Sequence, residues 1–76
     1  MKKDLLIQAN YRYNFDRDMF VNREKKKAFS LEFVDEHKEE EIVELVDADT
    51  DPGKWTFYFN VPPTVGIQRE LERLLG

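Results

Sequence analysis

The chain contains no cysteine, so neither disulfide bridges nor thiolate-bound metal can stabilise its fold. A chain of 76 residues buries only about 60% of its unfolded surface, which is enough for one hydrophobic core but not for two. Aromatic residues make up 13% of the sequence and supply bulky side chains for that core. We therefore expect a single domain over residues 1–76 that is held together by packing alone.

Alternation of apolar and polar residues predicts most of the strands. From Leu5 to Phe15 every second residue is apolar, as in a strand with one buried side. Turn-forming residues at 16–18 separate it from a shorter apolar run at 19–21, which predicts a hairpin. A turn at Pro52–Gly53 precedes a further alternating run, Trp55–Val61, which predicts the last strand of the sheet.

The segment after the charged loop has two interpretations. Phe29, Leu31 and Phe33 alternate with polar residues and predict a third strand. The alternative makes Ser30 the N-cap of a short helix that begins at Leu31, because serine is among the best capping residues. No Glu or Gln follows at the third helical position to complete a capping box.

Two helices complete the predicted fold. Apolar residues recur at helical spacing over about 36–47, after the possible cap Asp35. A second amphipathic helix opens near Thr64 or Gly66, with an apolar stripe of Ile67, Leu71, Leu74 and Leu75. The sequence thus predicts an α+β domain of order β-β-β-α-β-α, with a mainly antiparallel four-stranded sheet and both helices packed on one face.

Charge is unevenly distributed along the chain. The net charge of −4 argues against generic binding to nucleic acids or anionic membranes, which rests on an excess of Lys and Arg. Acidic residues dominate 32–51, whereas basic residues dominate 12–27 and form a candidate basic patch: Arg12, Arg17, Arg23, Lys25, Lys26 and Lys27. If the protein dimerises, the basic loop of one copy is expected to meet the acidic helix of the other.

The basic patch also gives an alternative function, binding of single-stranded nucleic acid. Such binding needs cations along the phosphate backbone and aromatic faces on which bases stack. Tyr11 and Tyr13 lie close to the basic residues in sequence. Both share the apolar face of Ile7 and Phe15, however, so we expect them in the core, which weakens this alternative.

Carboxylates at alternating positions in the segment 47–53 suggest a second alternative, calcium binding by Asp47, Asp49 and Asp51. The match to an EF-hand loop is partial, because Pro52 and Tyr58 stand where that loop has glycine and a bidentate glutamate. Carboxylates that follow a helix C-terminus oppose its dipole, so a cation there is favourable. The competing interpretation is a solvated acidic turn.

The sequence offers little material for catalysis. Ser30 is the only serine and His37 the only histidine, and the three glycines are too scattered for a phosphate-binding loop. His37 lies among acidic residues, where a metal role is possible but a surface position is more usual. We therefore expect no enzymatic activity and no cofactor.

The prediction that remains is a non-catalytic module that binds another protein, or itself, through its polarised surface and an open sheet edge or face. Tyr58 is a candidate anchor on the sheet, unless it packs on a neighbouring strand. The apolar run 5–7 behind Lys2 and Lys3 is too short for a signal peptide or a membrane span, so a cytoplasmic location is expected, with no membrane partner.

Overall fold

The computed structural model describes residues 1–51 and 53–75. In this part of the chain the elements are, in order, α1 (Lys2–Gln8), β1 (Arg12–Asn14), β2 (Met19–Asn22), β3 (Lys27–Ser30), α2 (Leu31–Glu36), α3 (Glu39–Asp47), β4 (Thr56–Tyr58) and α4 (Val65–Leu75). The molecule belongs to the α+β class, as predicted. The predicted order is wrong in two places, because a helix precedes the first strand and two helices, not one, connect β3 to β4.

The segment 5–15, predicted as one strand, is a helix followed by a short strand. Helix α1 ends in a Schellman motif, in which the amide of Tyr11 donates to the Leu6 carbonyl (2.9 Å) and that of Asn10 to the Ile7 carbonyl (3.1 Å). Asn10 has φ 71°, a left-handed conformation that asparagine adopts more readily than most residues. The apolar alternation fails here because Leu6, which it places on the polar side, is the residue that α1 buries.

The hairpin predicted between the first two strands is confirmed. β1 and β2 pair antiparallel with Tyr13 opposite Phe20, and β2 and β3 pair antiparallel with Phe20 opposite Phe29. Each turn contains one residue in the left-handed region, Asp18 at φ 51° and Lys26 at φ 55°. These three strands form a continuous meander along the chain.

Strand β3 ends at Ser30, so the prediction of a strand over 29–33 is wrong and the capped-helix alternative is correct. The Ser30 hydroxyl accepts a hydrogen bond from the Phe33 amide (3.1 Å) and thereby starts α2. The helix predicted over 36–47 begins at Glu39 instead, because the two residues before it are extended and separate α2 from α3.

The sheet has strand order β1-β2-β3-β4 and is mixed: the first two strand pairs are antiparallel, as predicted, and the third is parallel. Strand β4 runs parallel to β3, with Phe57 opposite Ala28, because α2 and α3 form a crossover that returns the chain in the same direction. β4 covers less of the predicted strand 55–61 than expected. Gly53 has φ 83°, as a turn requires, whereas Pro52 of the predicted turn lies outside the described residues.

Helices cover both faces of the sheet, so the prediction of two helices on one face is wrong. On one face, here called the three-helix face, the core cluster draws on α1, α2 and α3 and contains Leu6, Tyr11, Phe20, Phe29, Phe33, Val34, Ile42 and Val46. On the other, the α4 face, the buried residues are Met19, Val21, Ala28, Leu71 and Leu75. β2 contributes to both clusters because its side chains alternate between faces.

Helix α4 corresponds to the predicted C-terminal helix. Leu71 and Leu75 are buried, as its apolar stripe predicts, whereas Ile67 and Leu74 remain about half exposed. One helix of 11 residues is narrower than the sheet beneath it, so the α4 face is only partly covered. Among the described residues no helix has the length and apolarity needed to cross a membrane.

Candidate functional site

Lys27, the last residue of the predicted basic patch, is buried, with only 2% of its surface exposed. Its ammonium donates to the backbone carbonyls of Leu45 (2.8 Å), Val46 (3.0 Å) and Ala48 at the C-terminal end of α3. The last carbonyls of a helix lack intrahelical partners and carry the negative end of its dipole, so a cation is stabilising there. Lys27 is therefore a cap for α3 and not part of the exposed surface.

The three acceptors around Lys27 match the three donors of an ammonium group. Desolvation lowers the pKa of Lys27, and Lys25 acts in the same direction, whereas Asp47 and Asp49 raise it. The carbonyl oxygens compensate for lost water by accepting hydrogen bonds from the charged form. All three hydrogen-bond donors of the Lys27 ammonium thus have acceptors within the molecule.

The hairpin that joins β2 to β3 also caps two other helices. Asn22 donates through Nδ2 to the carbonyl of Ala9, the C-cap of α1 (3.2 Å), and Arg23 donates through Nε to the carbonyl of Leu75 in α4 (2.6 Å). We call Asn22, Arg23 and Lys27 the capping hairpin. Two of the six predicted basic-patch residues, Arg23 and Lys27, therefore bond helix-end carbonyls from this hairpin.

The other members of the basic patch lie at the surface, with Lys26 half-buried: Arg12, Arg17, Lys25 and Lys26. Phe15, between Arg12 and Arg17 in the sequence, is an exposed aromatic residue (84% exposed), and its ring meets that of Tyr13 edge-on. Tyr11 is fully buried, and the Tyr13 hydroxyl donates to the Asp18 carboxylate (2.8 Å). The expectation that both tyrosines belong to the core is confirmed for Tyr11, while Tyr13 packs at its margin.

The acidic loop adjoins the capping hairpin. Asp47, Asp49 and Asp51 are exposed and, with residues 24–27, line a cleft of about 410 Å³. Within 1–51 and 53–75 no three His, Cys, Asp or Glu side chains converge as metal ligands. The cation that the dipole argument calls for at the end of α3 is the ammonium of Lys27. Calcium binding in this loop stays a prediction.

Ser30 and His37 both interact within or next to α2. The Ser30 hydroxyl is the N-cap of that helix, as described above. The imidazole of His37 stacks on the Phe33 ring with centroids 3.8 Å apart, and its Nδ1 lies 3.0 Å from the Phe33 carbonyl. Ser30 thus has a role in helix capping, and His37 has a role in packing on α2.

Tyr58, the predicted sheet anchor, lies on the three-helix face. Its ring stacks on Phe29 of the neighbouring strand with centroids 4.4 Å apart, and it also contacts Phe33. The side chain is half-buried, and desolvation raises its pKa. Tyr58 thus packs on a neighbouring strand, which is the second of the two interpretations of this residue given in the sequence analysis.

Strand β4 forms one edge of the sheet, with β3 as its strand neighbour. The amide of Thr56 donates to the Lys26 carbonyl (2.9 Å), so Thr56 is turned towards β3. Successive residues of a strand alternate, which turns the N–H and C=O of Phe57 outward. The run 55–61 contains no charged residue and no proline, two of the features that prevent edge pairing, although β4 itself spans only 3 residues.

A row of aromatic rings follows this edge on the α4 face. Trp55 stacks on Phe57 with centroids 5.7 Å apart, and Phe57 packs on Phe59 at 6.1 Å. All three side chains are only half-buried. The row thus lies beside a strand edge whose main chain faces outward. Apolar periodicity does not give the order of strands in a sheet, so the sequence alone does not show that this row lies at an edge.

An apolar groove of about 460 Å³ continues from the aromatic row towards the start of α4. Phe59, Val61, Ile67 and Leu71 contribute to its walls, and Val61 is 80% exposed. Arg17 is the charged residue of this groove and also lines an adjoining cleft with residues 59–61. Arg17 shares that cleft with Asp18 and Glu32, while the acidic loop precedes the other end of β4.

No protein-family model, curated protein or solved structure matches this chain.

Proposed function

We propose that this protein is a non-catalytic interaction module that binds another protein by adding a strand to the outer edge of β4. The observation that carries the proposal is the outward orientation of the Phe57 main chain within an edge free of charge and proline. In strand addition the main-chain hydrogen bonds supply affinity, and alternate side chains supply specificity.

The aromatic row provides the side-chain part of this recognition. Trp55, Phe57 and Phe59 project on the same face at intervals of two residues, which matches the spacing of same-face side chains on an added strand. Aromatic residues are also enriched among the residues that dominate binding energy at interfaces. An added strand with apolar residues at alternate positions therefore fits this edge.

The two alternative functions draw less support from the contacts. Arg23 and Lys27 already bond carbonyls at helix ends, so nucleic-acid binding would rest on the other four basic residues and on the exposed ring of Phe15. The acidic loop already has the Lys27 ammonium beside its carbonyls. Both alternatives remain predictions, and the experiments below separate them from strand addition.

The test is a pull-down from cell lysate with three forms of the protein and with or without nuclease. Phe57→Lys places a charge on the β4 edge, while the control Val43→Lys adds the same charge on α3, where Val43 is 36% exposed. We expect nuclease-resistant protein partners that bind the wild type and Val43→Lys but not Phe57→Lys. Circular dichroism confirms that each variant is folded.

Two outcomes contradict the proposal. Partners that bind Phe57→Lys as well as the wild type place the interaction on another surface. Material that disappears on nuclease treatment favours nucleic acid, and a folded Lys25→Glu, Lys26→Glu double variant then shows whether the remaining basic patch holds it.

A further inference from the structure

The outer edge of β4 is complementary to itself. Thr56 is turned towards β3, so the main chain of Phe57 faces outward; if the pair extends β4 (Thr56–Tyr58) by one residue at each end, Trp55 and Phe59 face the same way. In an antiparallel pair of β4 strands centred on Phe57, each Phe57 faces its counterpart and each Trp55 faces Phe59 of the other strand. This register pairs all three outward residues, whereas a shift of two residues leaves one of them without a partner.

Side chains of directly opposed residues lie on the same face of an antiparallel sheet. The two aromatic rows therefore meet on the α4 face in this register, where Trp55 and Phe57 are half-buried in the single chain. Aromatic pairs across strands are among the stabilising combinations. Lys54, the one charged residue near the run, is placed opposite Asn60, so like charges do not meet along the edge.

The antiparallel direction also brings together one pair of opposite charges from the two ends of β4, Arg17 and Asp51. Arg17 lines two clefts beside Phe59 and Val61 at one end, one of them together with Asp18 and Glu32, and Asp51 precedes the other end, close to Lys54 in the sequence. An antiparallel pair brings the Arg17 end of each copy to the Asp51 end of the other, twice per dimer. A parallel pair brings Asp51 to Asp51 and Arg17 to Arg17, so the attraction between Arg17 and Asp51 is available in the antiparallel direction alone.

From these three observations we infer that the strand added to β4 is the β4 strand of a second copy, in a two-fold symmetric dimer with a continuous eight-stranded sheet. The inference rests on the proposed function and names its partner. An interface formed mainly by one short strand belongs to the weak class, with an expected dissociation constant of about 1–100 μM.

Sedimentation equilibrium of the purified chain at low salt tests the dimer. We expect the mass to rise from one chain to two between ~1 μM and ~1 mM, and ~0.5 M salt to weaken association by screening the end-to-end charges. Arg17→Asp and Asp51→Arg are each expected to weaken the dimer about tenfold, and the double variant to restore it. Arg12→Asp, on the opposite edge strand, makes the same charge change as Arg17→Asp and is expected to leave association unchanged.

The outcomes separate this inference from the proposed function. A chain that stays monomeric up to ~1 mM overturns the dimer; if Phe57→Lys nevertheless abolishes capture of other proteins, the proposed function stands. A dimer that neither Phe57→Lys nor the single charge reversals weaken uses another surface and overturns the inference. Restoration of the dimer by the double reversal, together with its loss in Phe57→Lys, supports the antiparallel β4 pair.

Discussion

The Nζ atom of Lys27 lies 3.0 Å from the carbonyl oxygen of Val46, which joins the start of β3 to the end of α3. Asn22 and Arg23 make the corresponding contacts to α1 and α4 from the same hairpin. The capping hairpin thus brings together the C-terminal ends of helices on both faces of the sheet. In the sequence Arg23 and Lys27 resemble part of a binding patch. In the structure they and Asn22 stabilise the helices that pack on the sheet.

We expect Lys27→Met to lower the free energy of unfolding by about 2 kcal/mol, because it removes the donor from the buried Val46 carbonyl and from two part-buried carbonyls at the end of α3. Lys26→Met is the matched control, since the ammonium of Lys26 makes one exposed hydrogen bond to Gly53, and its cost should stay below about 0.5 kcal/mol. Urea denaturation measures both. Equal effects of the two substitutions would show that Lys27 does not act as a cap.

Tyr11→Phe is expected to raise the free energy of unfolding by about 1 kcal/mol. Tyr11 is fully buried, and its hydroxyl has no hydrogen-bond partner among the described residues. The substitution removes that desolvated group and keeps the ring, whose edge packs on Phe29 at 5.5 Å. Thermal and urea unfolding provide the measurement. A loss of stability instead would mean that the hydroxyl has a partner in solution.

Stability should fall as the pH rises above about 10, the pKa of an unfolded tyrosine. The native state raises the pKa of all three tyrosines: desolvation is the largest cause for Tyr11 and Tyr58, and the hydrogen bond to Asp18 for Tyr13. Below pH 10 both states hold these protons, whereas above it the unfolded chain releases them first, so unfolding becomes more favourable.

Phenolate absorbance and circular dichroism, recorded together during an alkaline titration, check this pH dependence. We expect the phenolate signal to appear with the loss of secondary structure, and Tyr11→Phe to reduce the alkaline loss of stability. Ionisation of all three tyrosines with an ordinary midpoint in a chain that remains folded would contradict the account.

Calcium is expected to leave the acidic loop unchanged, because the ammonium of Lys27 already bonds the carbonyl of Ala48 beside it. Amide spectra recorded up to ~5 mM Ca²⁺, well above the range of most calcium sensors, test this expectation. Mg²⁺ at the same concentration controls for ionic strength. Saturable shifts confined to Asp47, Asp49 and Asp51, and lost in Asp49→Asn, would instead establish the calcium alternative.

Local periodicity predicts those parts of the fold that depend on neighbouring residues. The hairpin of β1 and β2, the helix α4 and the opposite orientations of Phe57 and Tyr58 all follow from spacing. The same method fails for α1, where the Schellman motif at Asn10 and the burial of Leu6 override the alternation. In a segment this short, several periods fit the same few apolar residues.

Contacts between distant parts of the chain account for the remaining differences. Lys27 bonds a carbonyl 19 residues away, and a run of lysines gives no sign that one of them is buried. The parallel pairing of β4 depends on the path of α2 and α3 across the sheet. The sequence predicts the candidate site only in part, because it suggests an open sheet edge but does not show which strand forms that edge.

Amide hydrogen exchange at Phe57 tests most directly whether the outer edge of β4 pairs with a strand. The Thr56 amide, which donates to the Lys26 carbonyl, is an internal reference expected to be protected at every concentration. We predict that the Phe57 amide exchanges rapidly in dilute protein and at least ~10-fold more slowly at ~1 mM. Rapid exchange of Phe57 at all concentrations, and also in complexes with captured partners, would contradict the account.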